Sequence, residues 1–239
     1  MKKHPLLLFV IFIGLFSQEI KAQFFDDVLK AISPVQGGLT ETDAVAGIRE
    51  ALIKGTGESV TLVSNLNGYF GNPEIKIPFP REARTIESKL RAIGLGSQVD
   101  EVVLSINRAA EDAAKEAGTI FAEAIRNMTI SDAIQIVKGN SDAATRYLER
   151  TTSPALKVKF LPVIKNSLDK VDATRLWTGV ISTYNQIPFV SRMDPDLAGY
   201  VTDKAIAGLF IMIAKEELKI RKDPVARSTE LLKKVFGGT

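Results

Sequence analysis

The sequence predicts an all-α fold in the form of a single multi-helix bundle, and three observations lead to that prediction. Apolar residues recur at intervals of three or four over most of the chain after residue 40, which is the period of an amphipathic helix. Serine, threonine or aspartate precedes most of these segments, and glycine or proline follows them, as at helix ends. No internal repeat or compositional break divides the region, so we expect one domain over residues 39–239.

Residues 1–22 have the organisation of a secretory signal peptide. Lys2 and Lys3 precede an apolar run over 6–16, and Ala22 supplies the small residue at the cleavage position. The run is shorter than the roughly 20 apolar residues of a membrane-spanning helix; an uncleaved amphipathic or membrane helix is the alternative interpretation. We therefore expect an exported protein, periplasmic or extracellular, with no transmembrane span after cleavage. Because the chain contains no cysteine, we do not expect a lipoprotein.

Cleavage changes the composition on which the functional argument depends. The whole chain has 31 basic and 28 acidic residues and one histidine, His4. Removing Lys2, Lys3, Lys21 and Glu19 with the leader leaves 28 basic and 27 acidic residues and no histidine. Without His and Cys there is no Ser-His or Cys-His nucleophile pair and no zinc site of the usual kind, so we predict no catalytic residue, metal or cofactor. The sequence contains no cluster of basic residues interleaved with aromatic residues, so we do not expect a nucleic-acid partner.

The first helix of the domain is predicted to begin at Thr40. Residues 23–38 precede it as a linker or short helix. Apolar positions continue at helical spacing to about Asn65, but Gly55 and Gly57 interrupt them. We therefore expect two consecutive helical segments here.

The stretch 67–80 is predicted to be a long irregular aromatic loop. The residues of its first half favour turns. Residues 75–80 alternate apolar residues with polar residues or proline, which allows a short edge strand. Pro78 and Pro80 have no N–H to donate to a sheet, so any pairing is marginal. A loop of this length within a helical domain is either a functional loop or a packed surface cover.

Two interpretations of the apolar side chains in this loop remain open. In the first, Tyr69, Phe70 and Phe79 line a surface that receives a ligand or partner. In the second, Ile75, Ile77 and Phe79 seal one end of the bundle. The second is favoured because alternate residues of an extended chain point the same way.

The rest of the chain is predicted to be helical almost throughout. Predicted helices cover residues 82–93, 97–127, 129–138, 141–148, 153–168, 172–187, 195–222 and 224–236. Pro162 is expected to kink or split the helix that contains it. Ala205 to Ala214 contains no charged residue; because this run is half the length of a membrane span, it predicts a core helix that is hydrophobic all round.

Four blocks of sequence suggest a family relationship. They are Asn107 to Glu111, Asp132-Ala133 with Ile136 to Gly139, Ala143 to Tyr147, and Phe160 to Pro162. In order and spacing these blocks resemble an exported bacterial family catalogued as domain of unknown function 4197, and the resemblance extends from about Leu39 to Phe236. It implies a secreted or envelope-associated bacterial helical domain with no assigned activity, and it carries over no functional residue.

Polar residues within these blocks are candidates for a binding site. Asn107, Arg108 and Glu111 lie three or four residues apart on one helix, near the edge of its apolar stripe. They would either bind an anionic or polar partner or tie helices together by satisfying buried polar atoms, as such groups more often do. The same two interpretations apply to a second set of candidates, Thr145, Arg146 and Tyr147.

The sequence leaves two functions open. The first is a non-catalytic binding or structural module of the bacterial cell envelope, whose partner is an envelope protein or an apolar small molecule. The alternative is a carboxylate-dependent hydrolase acting on envelope polysaccharide, because two carboxyl groups can cleave a glycosidic bond. Lysine and arginine surround the available acids at helical spacing, which is more typical of a solvated charged face. These acids are Glu111, Asp112, Glu116 and Glu123.

Overall fold

A computed structural model describes residues 41–171, 173–186, 189, 192, 194 and 196–226. The predicted signal peptide 1–22 and the segment 23–38 lie outside the described residues, as does 227–239. No strand occurs in the described ranges, so the predicted all-α class is confirmed. The α-helices are α1 Glu41–Ser64, α2 Arg84–Ala92, α3 Gly96–Ala114, α4 Ala117–Arg126, α5 Ile130–Lys138, α6 Ala143–Asp169, α7 Ala173–Asn185 and α8 Leu197–Lys222, with short 3-10 helices at Arg81–Ala83 and Pro224–Ala226.

Helix α8 lies at the centre of the bundle. It packs against α1, α3 and α6, and its Val201, Ala205 and Leu209 are fully buried. In the part of the chain that the structure describes, α8 is the one helix long and apolar enough to cross a membrane. Neighbouring helices bury 61% of its most apolar window, which is the environment of a core helix that is hydrophobic all round.

The long helix predicted over 97–127 is two helices, α3 and α4. At the junction the N–H of Glu116 donates to the carbonyl of Ala113 at 3.0 Å, which is the tighter spacing of a 3-10 turn. Lys115 and Glu116 keep right-handed helical dihedral angles. The apolar period continues across this turn, so the sequence contains no stop signal there.

Helix α1 continues through the glycines that predicted its interruption. Both Gly55 and Gly57 lie within it, so the prediction of two segments is wrong. A glycine in a helix interior costs only about 1 kcal/mol relative to alanine, and Gly55 lies where α1 packs against Ile220 of α8. Packing against the core helix therefore outweighs the weak local preference.

Helix α6 joins two helices that the sequence predicts separately, 141–148 and 153–168. It contains both Pro154 and Pro162, so the predicted helix start at Ser153 is wrong, and Pro162 does not split the helix. Hydroxyl groups in the turn before Pro154 donate to the carbonyls four residues earlier at 2.6 to 2.8 Å. These donors are Thr151, Thr152 and Ser153.

The loop 67–80 consists of turns and irregular chain, and the edge strand that the sequence allows does not form there. Pro78 and Pro80 have no N–H, and the backbone groups of Ile77 are bonded to the side chain of Asn107 rather than to a strand. The loop packs across α3 and α8, and its alternate apolar side chains are buried. These side chains are Ile75, Ile77 and Phe79.

Candidate functional site

Asn107 on α3 binds the backbone of the loop as a neighbouring strand would. Its Oδ1 accepts the N–H of Ile77 at 2.8 Å, and its Nδ2 donates to the carbonyl of Ile77 at 2.8 Å. Nδ2 also donates to the carbonyl of Val103 at 2.7 Å. The amide is fully buried, and all its hydrogens are used, so it has no donor left for a ligand.

Glu111, one turn further along α3, holds the start of the loop. Its Oε1 accepts the N–H groups of Tyr69 and Phe70, each at 3.1 Å. Its Oε2 accepts from Arg108 Nη1 at 2.5 Å, and Arg108 Nη2 donates to Asn67 Oδ1 at 2.7 Å. Glu111 is only 3% exposed, so its charge is compensated by these partners rather than by water.

Asn67, Asn107, Arg108 and Glu111 form a cluster that we call the loop clamp. Asn67 begins the loop in a left-handed conformation, with φ at 67°, a region that asparagine tolerates better than most residues. The candidates Asn107, Arg108 and Glu111 are therefore brought together in the structure, and their partner is the loop of the same chain. This arrangement corresponds to the interpretation in which they satisfy buried polar atoms.

Of the three aromatic candidates in the loop, Tyr69 and Phe79 are buried. The Tyr69 hydroxyl donates to the carbonyl of Ala205 at 2.6 Å, and burial, with the nearby charge of Glu111, raises the pKa of that hydroxyl far above its usual range. Phe79 packs against Trp177, with 5.6 Å between ring centroids. Both rings are therefore part of the packing between the loop and the helices, and neither forms an exposed surface.

Phe70, the third aromatic candidate, is half-buried and lies beneath two cations. Lys76 Nζ is 3.9 Å from the centre of its ring, and the Arg108 guanidinium is 5.7 Å away. Such contacts are attractive because the face of an aromatic ring is negative. The ring therefore holds side chains of the loop and α3 in place.

Thr145 takes part in a second clamp, formed with Glu217 and Arg221 of α8. Glu217 accepts the N–H of Ala144 at 3.0 Å, the N–H of Thr145 at 2.8 Å and the Thr145 hydroxyl at 2.7 Å. Arg221 donates to Glu217 at 2.8 Å and to the carbonyl of Ile136 at 3.0 Å. Because the first N–H groups of a helix have no partner within it, Glu217 caps the start of α6 from another helix.

Arg146 and Tyr147 lie apart from the loop, in a groove of about 250 Å³ between α5 and α6. Arg146 is paired with Asp142 at 2.7 Å. Tyr147 is buried, and burial, with the charge of Asp132, raises the pKa of its hydroxyl. Hydrogen bonds from the Thr129 hydroxyl and N–H lower the pKa of Asp132, whereas a catalytic general acid needs a raised pKa.

Three of the four acids considered for a hydrolase lie on the exposed surface. Asp112 pairs with Lys115 at 2.9 Å on an exposed face, and Glu116 and Glu123 are also exposed. Among the residues that the structure describes, no group of three or more Asp, Glu, His or Cys side chains is placed to hold a metal ion.

A groove between the loop and α8 was not predicted from the sequence. It has a volume of about 370 Å³ and lies between the segment 74–84 and one stripe of α8. We call it the basic groove. The stripe residues recur at positions i, i+4, i+7, i+8 and i+11, which is one face of a helix. They are Tyr200, Lys204, Ala207, Gly208 and Ile211.

Three contacts set the direction of the chain along this groove. Glu74 forms an ion pair with Lys215, a methyl group added to Gly208 would lie 3.2 Å from Cβ of Ile75, and the Tyr200 hydroxyl donates to the carbonyl of Pro78 at 3.1 Å. Segment 74–78 therefore runs antiparallel to α8, and the cations that follow it lie at the Tyr200 end.

The cations that line the groove are Lys76, which lies over Phe70, and Arg81, Arg84 and Lys204. None of them forms an ion pair with a side chain that the structure describes. Lys204 Nζ lies 5.8 Å from the ring centre of Tyr200. The signal in the sequence was the i, i+3 spacing of Arg81 and Arg84, but nothing in it placed them opposite α8.

A family comparison covers this whole arrangement. The family model of DUF4197, described as a protein of unknown function, matches residues 38–237. The chain belongs to the DUF4197 family. No curated protein and no solved structure matches it. The DUF4197 region includes every helix from α1 to α8, so the loop clamp, the second clamp and the basic groove all lie within it.

Proposed function

We propose that this DUF4197 protein is an exported, non-catalytic binding module of the bacterial cell envelope, and that it binds an anionic ligand in the basic groove. The observation that carries the proposal is the set Arg81, Arg84 and Lys204, three cations that face one groove without a carboxylate partner among the described side chains. Like charges held together raise the free energy of the protein, and a bound anion would lower it.

The size and composition of the groove support a ligand. Its volume of about 370 Å³ falls within the range of small-molecule sites, roughly 300 to 1,000 Å³. Five of its twelve lining residues are charged, more than in the predominantly apolar lining of most small-molecule sites, so the groove suits a charged ligand. Arginine is also suited to carboxylate and phosphate groups, because its planar fork donates two parallel hydrogen bonds.

The other polar clusters support the proposal by contrast. In the loop clamp and the second clamp, the carboxylates of Glu111 and Glu217 are engaged by backbone N–H groups and arginine. Their geometry leaves little capacity for an external partner. Export is supported by the leader-like residues 1–22 and is tested by the mass of the mature N-terminus.

The test is purification of the protein from its native envelope, followed by mass spectrometry of the small molecules extracted from it. We expect an anionic molecule to copurify with the wild-type protein and to be lost from the variant Arg81→Gln/Arg84→Gln/Lys204→Gln. The matched control removes two exposed lysines of α6 and the exposed lysine that follows it, and should retain the molecule. Its substitutions are Lys159→Gln, Lys165→Gln and Lys170→Gln.

Two results would contradict the proposal. If the wild-type protein carries no anionic molecule and binds no inorganic phosphate, alkyl phosphate or acidic peptide, the groove is not a binding site. If the groove variant and the α6 control retain the molecule equally, it binds elsewhere. Circular dichroism of both variants checks that their helix content is unchanged.

A further inference from the structure

Positive charge is concentrated towards one end of the basic groove. At one end Arg81, Arg84 and Lys204 supply three positive charges. At the other end Glu74 pairs with Lys215. Lys76 also lines the groove, but its ammonium lies over the ring of Phe70, which does not line it. A ligand that complements this pattern has its negative charge at one end only.

The end of the groove at the Glu74–Lys215 pair is also its apolar part. Ile211 is 43% exposed there, and Ala207 and Gly208 place no large side chain between it and Lys204. Gly208 cannot carry one, because an added Cβ would lie 2.8 Å from the ring of Tyr69. The close approach of the loop to α8 therefore excludes a side chain at position 208.

The groove is long, and it has few free hydrogen-bonding groups for the backbone of a peptide. From Tyr200 to Ile211 the helix rises about 16 Å at about 1.5 Å per residue. The floor is formed by α8, whose backbone groups are bonded within the helix, and the opposite wall has the Ile77 backbone bonded to Asn107 and the Pro78 carbonyl bonded to Tyr200. A peptide would leave its own N–H and C=O groups unpaired here, whereas an acyl chain has none to satisfy.

From this geometry we infer that the ligand of the basic groove is a single-chain anionic amphiphile. Its compact anionic headgroup binds Arg81, Arg84 and Lys204, and its chain lies over Ala207, Gly208 and Ile211. This inference rests on the proposed function and adds the chemical class of the ligand. The bound chain removes the exposed surface of Ile211 from water, and the headgroup neutralises the cationic end.

The experiment is a calorimetric titration of the purified, delipidated full-length protein with alkyl phosphates below their micelle concentrations. We expect dodecyl phosphate to bind roughly tenfold or more tightly than butyl phosphate, because each buried methylene adds about fourfold in affinity. Dodecyl maltoside, which has the same chain and no charge, should bind more weakly than dodecyl phosphate. The variant Arg81→Gln/Arg84→Gln/Lys204→Gln should lose the affinity for both phosphates.

A second variant tests the position of the chain. Ile211→Glu should lose the dependence on chain length while butyl phosphate still binds. The matched control is Leu161→Glu on α6, because Leu161 is 42% exposed, close to the 43% of Ile211, and does not line the groove. This control should titrate as the wild-type protein does.

The outcomes separate this inference from the proposed function. If inorganic phosphate binds as tightly as dodecyl phosphate, or if an acidic pentapeptide binds more tightly, the amphiphile is wrong and an anion-binding groove remains. If the triple variant binds dodecyl phosphate as the wild-type protein does, or if no anionic probe binds, both proposals fail. Binding of dodecyl phosphate that is unchanged in Ile211→Glu also overturns the inference.

Discussion

Glu111 and Glu217 are held by the same kinds of group, although they lie on different helices. Each carboxylate accepts two consecutive backbone N–H groups from a distant segment and an arginine from its own helix. Glu111 of α3 holds the loop 67–80, and Glu217 of α8 holds the start of α6. Two charged groups on core helices therefore fix segments that apolar packing alone leaves with unpaired N–H groups.

We expect Glu111→Ala to lower the free energy of unfolding by about 2 kcal/mol. It leaves the buried N–H of Tyr69 without a partner, and an unsatisfied buried donor costs about 1 to 3 kcal/mol. Chemical denaturation measures the loss, and hydrogen exchange should become faster at Tyr69 and Phe70. The control Glu123→Ala changes an exposed residue of α4 and should alter stability by less than about 0.5 kcal/mol. Equal effects of both variants would contradict the assigned role of Glu111.

Glu217→Ala should destabilise the protein by a similar amount, and its effect should add to that of Glu111→Ala. The two clamps share no partner, and substitutions at independent sites are additive within about 0.5 kcal/mol. Denaturation of the double variant checks this. A coupling of more than about 1 kcal/mol would mean that the loop and the start of α6 are not held independently.

The sequence predicts the helices well where apolar residues recur, and less well at their ends. The interruption expected at Gly55 and the new helix start expected at Ser153 do not occur, because neighbouring helices and hydroxyl groups of the same helix support the chain there. The break between α3 and α4 was not predicted, since the apolar stripe continues across it. Local preferences are small compared with packing in the core of the bundle.

The sequence also places part of the polar site and misses the rest. Asn107 and Glu111 lie on one helix, and their spacing alone predicts a cluster. Their loop partners are 30 to 42 residues away, in a stretch without helical periodicity. The basic groove was missed because Arg81 and Lys204 are separated by more than a hundred positions and meet only through the packing of the loop on α8.

Gly208→Ala should destabilise the protein although alanine is the better helix former. The added Cβ would lie 2.8 Å from Tyr69 Cε1 and 3.2 Å from Ile75 Cβ, so the loop must shift, at a cost of about 1 to 3 kcal/mol. The control is Gly118→Ala in α4, where nothing lies within 4 Å of the added atom; it should stabilise by about 0.5 to 1 kcal/mol. Thermal unfolding should show a lower melting temperature for Gly208→Ala and a higher one for Gly118→Ala. A higher melting temperature for Gly208→Ala would contradict the close packing of the loop.

The capping box at the start of α5 predicts a dependence on pH. The Asp132 carboxylate accepts the N–H of Thr129 at 3.0 Å and its hydroxyl at 2.6 Å, and these bonds hold its pKa below the usual value. A lowered pKa in the folded state gives a stabilisation that is complete above the unfolded pKa of about 3.9 and is lost as the pH falls through the folded value.

Asp132→Ala should therefore cost about 1 kcal/mol at pH 7, and the difference from the wild-type protein should shrink as the pH falls below about 4. Urea denaturation between pH 7 and pH 2 measures this difference. Asp169→Ala, at the last residue of α6, is the control and should change stability by less than about 0.5 kcal/mol at pH 7. A difference for Asp132→Ala that stays constant down to pH 2 would mean that the carboxylate charge does not contribute to the cap.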